Sequence, residues 1–202
     1  KKEMKNQPTD VFLKVLADEL NTPAEVILTG ASAGSFWGHI RPSLDLDFEI
    51  RLKKKTKKTQ AQLEQTIAKA TKISGLSAQY SENIGGWSMI SYLDYRKRAI
   101  PYRQFRKLKV NIMAPEYWTI GKMARFFELD IQDMIRVIKK KKIKPDPLIR
   151  LWAKAVISSP LSIELGQFRD HVVYFLRKHG KKIWGRPIDT VRLVELFKRE
   201  IG

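Results

Sequence analysis

The segment Leu44–Lys53 constrains the fold more than any other, because apolar and charged residues alternate along it without a break. The apolar positions are Leu44, Leu46, Phe48, Ile50 and Leu52, and the charged positions are Asp45, Asp47, Glu49, Arg51 and Lys53. Successive side chains of a β-strand point to opposite faces of a sheet. The pattern therefore predicts a strand that has one buried face and carries Asp45 and Asp47 together on the other.

Patterning before this strand predicts a helix, a second strand and a turn. Apolar residues recur at helical spacing from Asp10 to Leu20, directly after Pro8-Thr9, which is typical of an amphipathic helix. Glu25–Thr29 is a short apolar run that ends at Gly30, as expected for a buried strand. The next residues, Gly30–Ser35, are all small, and we expect a tight turn there.

Patterning after the strand predicts a crossover and further strands. A modest apolar stripe over Gln60–Ile73 stops at Ser74-Gly75, which indicates a helix and hence a strand–helix crossover. We expect strands near 77–84 and 87–95 to form a hairpin around Gly85-Gly86. A last strand is predicted at Phe105–Met113.

From Pro115 onward the alternation stops and helical spacing takes over,. The predicted helices are Tyr117–Glu128, Asp130–Lys140, Pro147–Ile157, Ser162–His179 and Asp189–Ile201. We therefore predict an α+β chain, with a mixed-sheet domain at residues 1–115 and a helical domain at 116–202.

Composition restricts the class of protein. With 202 residues, 43% of them hydrophobic, the chain can bury a core. No apolar run approaches the roughly 20 residues that span a bilayer, and the charged amino terminus is not followed by the apolar region of a signal peptide. We expect a cytoplasmic protein without a membrane partner. The absence of cysteine excludes disulfides and zinc-thiolate sites.

The formal net charge of +18 creates a field that attracts polyanions and makes such binding salt-dependent. We expect a nucleic-acid partner because the basic residues cluster, although lysines can also serve solubility alone. The candidate nucleic-acid-binding residues are Lys53, Lys54, Lys55, Lys57, Lys58, Arg103, Arg106, Lys107 and Lys109.

The pair Asp45 and Asp47 can hold a metal ion, because both carboxylates project from one face about 7 Å apart at the backbone. Hard divalent ions such as Mg²⁺ prefer oxygen ligands, and two-ion sites commonly run phosphoryl chemistry. Backbone N–H groups of the turn at Gly30–Ser35 can cradle phosphates. The alternative is an edge strand whose polar face simply meets water.

These segments together resemble the nucleotidyltransferase superfamily. Residues 28–32 (LTGAS) and 38–48 (GHIRPSLDLDF) match its pattern of hydrophobic-Gly-small, a spacer, and Asp-hydrophobic-Asp. The similarity is greatest to the abortive-infection (AbiEii-type) nucleotidyltransferase toxins. Residues 108–112 (LKVNI), 120–125 (IGKMAR) and 128–133 (ELDIQD) resemble later motifs of that family, so the match covers about residues 25–140.

The resemblance implies a nucleotidyltransferase core that moves a nucleoside monophosphate from a nucleoside triphosphate to an acceptor hydroxyl. Asp45 and Asp47 would hold Mg²⁺ or Mn²⁺. The implied nucleotide-binding residues are Gly30, Ala31, Ser32, Arg41, Ser43 and Lys122. Ser43 has an alternative role in capping the turn beside Pro42, and Lys122 can instead lie on a solvated helix face. The implied acceptor is RNA, with tRNA as the specific expectation, and an antitoxin protein is a further expected partner.

Asn111 departs from the family pattern, which has a third catalytic acid at this position. Asn ligates a metal weakly and cannot act as a base, and loss of general-base help typically costs about 10²–10⁴ in rate. Three alternatives stay open: Asp94 or Glu49 substitutes for the acid, the site is attenuated or inactive, or an Asp has been replaced. An inactive member would be a nucleic-acid-binding or toxin–antitoxin interaction protein.

Overall fold

A mixed β-sheet carries the acidic strand next to its centre. The computed structural model describes residues 7–38 and 44–202, and the sheet within them has five strands in the order β3-β2-β1-β5-β4. The strands are β1 (Ala24–Leu28), β2 (Asp45–Leu52), β3 (Ser77–Ser81), β4 (Ile100–Phe105) and β5 (Leu108–Ile112). Strand β1 is antiparallel to β2 and parallel to β5. The α+β class is therefore confirmed.

Two predicted helices pack together in this part of the chain. Helix α1 (Pro8–Glu19) has Pro in its first turn, and α3 (Lys57–Ser74) has a capping box at Thr56 and ends on the left-handed Gly75. The ring of Phe12 on α1 meets that of Phe48 on β2, edge to face, with centroids 5.7 Å apart. Since β2 and β3 run parallel, α3 is the crossover that the sequence predicts.

The predicted tight turn at Gly30–Ser35 is wrong. These small residues form a helix, α2 (Gly30–Trp37), which begins directly after β1. Gly30 itself has a φ of +55°, a left-handed conformation that glycine adopts without strain. The sequence therefore marks the sharp bend correctly but misses the helix that follows it.

The predicted hairpin around Gly85-Gly86 is also wrong. Strand β3 pairs in parallel with β2, and a 3₁₀ turn at Ile84–Trp87 and the short helix α4 (Tyr95–Arg98) follow it. Serine hydroxyls accept backbone N–H groups locally at Ile90 and Leu93, which replaces the ladder bonds of a strand. The antiparallel hairpin of this sheet is instead β4–β5.

The carboxyl-terminal part is helical, as predicted. Its helices are α5 (Pro115–Arg125), α6 (Glu128–Lys140), α7 (Pro145–Ile157), α8 (Ile163–Trp184) and α9 (Thr190–Ile201). Trp152 and Phe175 meet in their core with ring centroids 5.9 Å apart. No helix in the described part of the chain combines the length and apolar character that crossing a bilayer requires.

The described residues divide into two compact units. The first comprises 7–33, 44–84 and 99–113, and the second comprises 34–38, 85–98 and 114–202. The segment 85–98 belongs to the helices because Ser91 donates its N–H to the Ser159 hydroxyl at 2.8 Å. Residues 34–38 belong to the same unit, and the Lys141 ammonium lies 4.7 Å from the ring centre of Trp37.

Candidate active site

Asp45 and Asp47 lie at the start of β2, on the face opposite the buried Leu46 and Phe48. The side chain of Asp45 is exposed, whereas Asp47 is half-buried. Their placement follows from the alternation of the strand, since both occupy odd positions. Asp47 also fixes the end of β1, because its carbonyl oxygen accepts the Thr29 N–H at 2.9 Å.

The Asp47 carboxylate lies against the first residues of α2. The Ala31 N–H points to its Oδ2 at 3.4 Å. A Cβ added at Gly30 would overlap the same carboxylate, so only glycine allows this approach. The bend at Gly30 and the strand at Asp47 are thus brought together. Because a helix N-terminus favours negative charge, Asp47 also stabilises α2.

Ser32 joins the helix to the strand. Its hydroxyl accepts the Asp47 N–H at 3.2 Å and donates to the Asp45 carbonyl at 3.4 Å. The side chain is buried, with 5% exposure. In this structure Ser32 therefore holds Asp45 and Asp47 at a fixed distance from α2, and its predicted contact with a nucleotide stays a prediction.

Asn111 lies on β5, on the same face of the sheet as Asp47. Its register partner on β1 is Ile27, which in turn pairs with Glu49 of β2. Asn111 is therefore level with Glu49, two residues along from Asp47. Its amide Nδ2 donates to Glu25 Oε1 at 2.8 Å. The structure consequently places Asn111 in a polar network with Glu25.

Glu49 and Asp94, the two substitutes considered for a third acid, are both engaged in the structure. Glu49 is fully buried, and its carboxylate accepts the Ile84 N–H at 3.2 Å and pairs with Arg51 at 3.4 Å. Asp94 belongs to the second unit and accepts the Tyr117 hydroxyl at 2.8 Å. That hydrogen bond is the largest cause of a lowered pKa of the Asp94 carboxyl.

Lys122 is buried rather than solvated, with 3% exposure. Its ammonium bonds Asp130 at 2.7 Å and Asp133 at 3.1 Å, and Arg125 completes the cluster on Asp130. Burial alone would raise the pKa of Asp130, but hydrogen bonds from Arg125 and Lys122 outweigh it and lower that pKa. The lysine and both aspartates that the family resemblance singles out therefore form one ion-paired cluster in the second unit.

Two further predicted nucleotide-binding residues, Arg41 and Ser43, lie outside the described residues. Arg103, predicted to bind nucleic acid, is held by Asp10 at 3.1 Å. The Tyr102 hydroxyl donates to the same carboxylate, and burial followed by this bond raises the Tyr102 pKa to about 12. The other predicted basic residues are exposed: Lys53, Lys54, Lys55, Lys57, Lys58, Arg106, Lys107 and Lys109.

Sequence reasoning missed Glu25, the centre of the polar network on this face. Glu25 accepts from Asn111 and pairs with Arg51 at 2.7 Å and Lys109 at 3.4 Å. A signal was available, because Glu25 is a lone acid at the start of an apolar run that must face the same side as Ile27.

The donor set at the aspartate pair consists of carboxylates. Within residues 7–38 and 44–202, no group of three or more His, Cys, Asp or Glu side chains is arranged to hold a metal ion. Mg²⁺ is commonly bound by one or two carboxylates together with waters and substrate phosphates. Asp45 and Asp47 suit that mode. Comparison with known proteins adds no family, since no family model, curated protein or solved structure matches the chain.

Proposed function

We propose that this chain transfers a nucleoside monophosphate from a nucleoside triphosphate to an acceptor hydroxyl at the site formed by Asp45, Asp47 and the start of α2. The observation that carries the proposal is the contact between the Asp47 carboxylate and Gly30-Ala31. It supports a site in which the acidic metal ligands lie at the N-terminus of a helix. The resemblance of residues 28–48 to the nucleotidyltransferase pattern supplies the reaction class.

Asp45 and Asp47 would hold Mg²⁺ or Mn²⁺ in this proposal. A divalent ion bound there neutralises phosphate oxygens as charge builds on them. The chain itself contributes position: Ser32 fixes the backbone of both aspartates, and Gly30 allows the Asp47 carboxylate to approach the start of α2. The side chain of Asp45 is exposed, which supports access of a triphosphate from solvent.

RNA is the proposed acceptor. The net charge of +18 favours a polyanionic acceptor, and the resemblance to toxins of this type favours tRNA. The assay incubates the chain with each labelled nucleoside triphosphate, total RNA and Mg²⁺, and measures pyrophosphate release together with label in RNA.

We expect release that requires Mg²⁺ and disappears in Asp45→Ala and Asp47→Ala. The matched control is Asp170→Ala, which removes an exposed aspartate from α8 and should leave release unchanged. Equal activity of Asp45→Ala and Asp170→Ala would reject the proposed site. Absence of release with every triphosphate and acceptor would reject the reaction class.

A second candidate, a non-catalytic nucleic-acid-binding protein of this fold, is favoured by the bond from Asn111 to Glu25. The single variant Asn111→Asp is a poor test, because it would put a carboxylate 2.8 Å from Glu25, and like charges repel. The double variant Glu25→Gln/Asn111→Asp removes that repulsion. Transfer by the unmodified chain that increases in the double variant supports the catalytic proposal. Transfer gained only in the double variant, or Mg²⁺-independent RNA binding without transfer in either, supports the second.

A further inference from the structure

One end of the sheet collects the two basic segments that are far apart in sequence. The Lys53 N–H donates to the Pro23 carbonyl at 2.8 Å, and the Ala24 N–H donates to the Lys107 carbonyl at 3.1 Å. The end of β2 and the β4–β5 turn therefore flank the start of β1. We call the surface formed by Lys53, Lys54 and Lys107, with Lys57 and Lys58 beside them, the basic edge.

The first turn of α3 is fixed to this edge. The Thr59 hydroxyl donates to the Lys54 carbonyl at 3.0 Å, which brings Lys57 and Lys58 to the same end of the sheet. Two open depressions adjoin here at Pro23 and Lys53, with volumes of about 480 and 360 Å³. Lys54 and Thr59 line the first, and Lys107 and Lys109 line the second.

The lysines of the basic edge form no ion pair within the described part of the chain. Lys55, Arg106 and Lys109 nearby each pair with a carboxylate. In contrast, among the residues that the structure describes, no carboxylate pairs with the basic-edge lysines, which are Lys53, Lys54, Lys57, Lys58 and Lys107. All of them are exposed, so their ammonium groups face water.

Folding alone does not favour this arrangement. A helix N-terminus carries partial positive charge, and a charged residue there changes stability by about 0.3–1 kcal/mol. Helix α3 has no acidic residue in its first turn and begins with Lys57 and Lys58. The chain therefore gathers repelling charges where a phosphate-rich ligand would relieve the repulsion.

We propose that the basic edge docks the phosphodiester backbone of a nucleic acid. Membrane binding would require exposed apolar anchors beside the charges, and in the described part of the chain none of the exposed large hydrophobic residues lies within 51–58 or 106–109. Protein interfaces are depleted in lysine and enriched in aromatic residues. A lysine-rich edge without exposed aromatics fits phosphate contacts, which position a nucleic acid without reading its sequence.

The basic edge is separate from the aspartate pair. Asp47 and Lys53 are six residues apart on an extended strand, a distance of about 20 Å at roughly 3.3 Å per residue. Docking there therefore does not rest on the transfer reaction. It requires no divalent ion and is expected to persist when Asp45 or Asp47 is replaced.

The test measures the affinity of the full chain for a fluorescent 12-base-pair RNA hairpin and for a DNA hairpin of the same sequence, between 50 and 200 mM salt without divalent ions. The variant is Lys53→Gln/Lys54→Gln. Each lost phosphate contact reduces the slope of log affinity against log salt concentration by about 0.9 on B-DNA. We therefore expect the slope of the variant to be smaller by about 2, and its affinity at 100 mM salt to be reduced tenfold or more.

The matched control is Lys181→Gln/Lys182→Gln, which removes the same charge from two exposed lysines of α8. It should change affinity and slope little. Equal losses in both variants would assign binding to net charge and overturn the proposal, as would unchanged binding in Lys53→Gln/Lys54→Gln. Preference for polyglutamate, or for anionic vesicles, over either hairpin at equal charge would also overturn it.

Discussion

Gly30→Ala provides the sharpest test of the candidate active site, because two separate physical effects oppose it. Gly30 has a φ of +55°, where a Cβ meets the following carbonyl group and costs about 1–2 kcal/mol. Alanine also restricts the unfolded chain, which returns about 0.4–1 kcal/mol. The conformational effect alone is therefore a destabilisation of about 1 kcal/mol.

The second effect is specific to the site. The added Cβ would overlap the Asp47 carboxylate, and forcing extra volume into a packed position typically costs about 1–3 kcal/mol. We expect Gly30→Ala to lower the free energy of unfolding by about 2–4 kcal/mol in total. Asp47 would also move away from the Ala31 N–H, so the transfer activity proposed above should fall with it.

The assay must report on the first unit. All the tryptophans, at positions 37, 87, 118, 152 and 184, belong to the second unit, so fluorescence follows the helices. Amide hydrogen exchange of β1 and β2 follows the first unit directly. At about tenfold per 1.4 kcal/mol, the expected loss accelerates exchange there by roughly 30- to 700-fold.

Gly75→Ala is the matched control. Gly75 also has a positive φ, of +72°, but an added Cβ would meet nothing within 4 Å. It should show only the conformational effect. Equal losses in Gly30→Ala and Gly75→Ala would refute the overlap with Asp47. The overlap would also be refuted if the losses in free energy of unfolding of Gly30→Ala and Asp47→Ala simply added in the double variant Gly30→Ala/Asp47→Ala.

Three further outcomes follow from other contacts. Lys122→Met should destabilise the second unit by about 3–5 kcal/mol, because it removes the buried ammonium that Asp130 and Asp133 share,. Arg125→Met should cost less because its side chain is half exposed and Asp130 keeps Lys122; tryptophan fluorescence in urea measures both. The lowered pKa of Asp130 contributes stability that is fully present above the ordinary pKa of 3.8 and is lost as the pH falls through the lower pKa of the folded state,. Asp130→Asn should remove this part of the acid sensitivity of unfolding. Tyr102→Phe should remove one tyrosine ionisation near pH 12 from the absorbance titration at 295 nm, whereas Tyr117, whose pKa burial and its bond to Asp94 raise to about 12, should still contribute there.

The sequence predicts best where one local pattern decides the structure. Strand β2 and helices α5 to α9 carry their own periodicity, and α8 and α9 are capped by Ser162 and Asp189 as their sequences suggest. Strand β4 is absent from the prediction because Pro101 interrupts its pattern, and an edge strand tolerates proline,. Its position at the edge is a property of the whole sheet.

The candidate site divides in the same way. The alternation of β2 puts Asp45 and Asp47 on one face, and the bend at Gly30 is readable as a glycine. Helix α2 cannot be read from its sequence, because a segment of Gly, Ser and Ala favours a helix only weakly. Contacts from β2, about sixteen residues away, stabilise it. The pairing of Asn111 with Glu25 depends on β1 and β5 becoming neighbours, which no local pattern states.

The central position of β1 has a consequence for how the chain is made. β1 precedes its parallel neighbour by 84 residues, as the pairing of Leu28 with Ile112 shows. At about 5–20 residues per second, a ribosome needs roughly 4–17 s to synthesise that interval. During that time the edge of β1 that later pairs with β5 has no strand partner, so we expect nascent chains that stall before β5 to aggregate or to recruit chaperones.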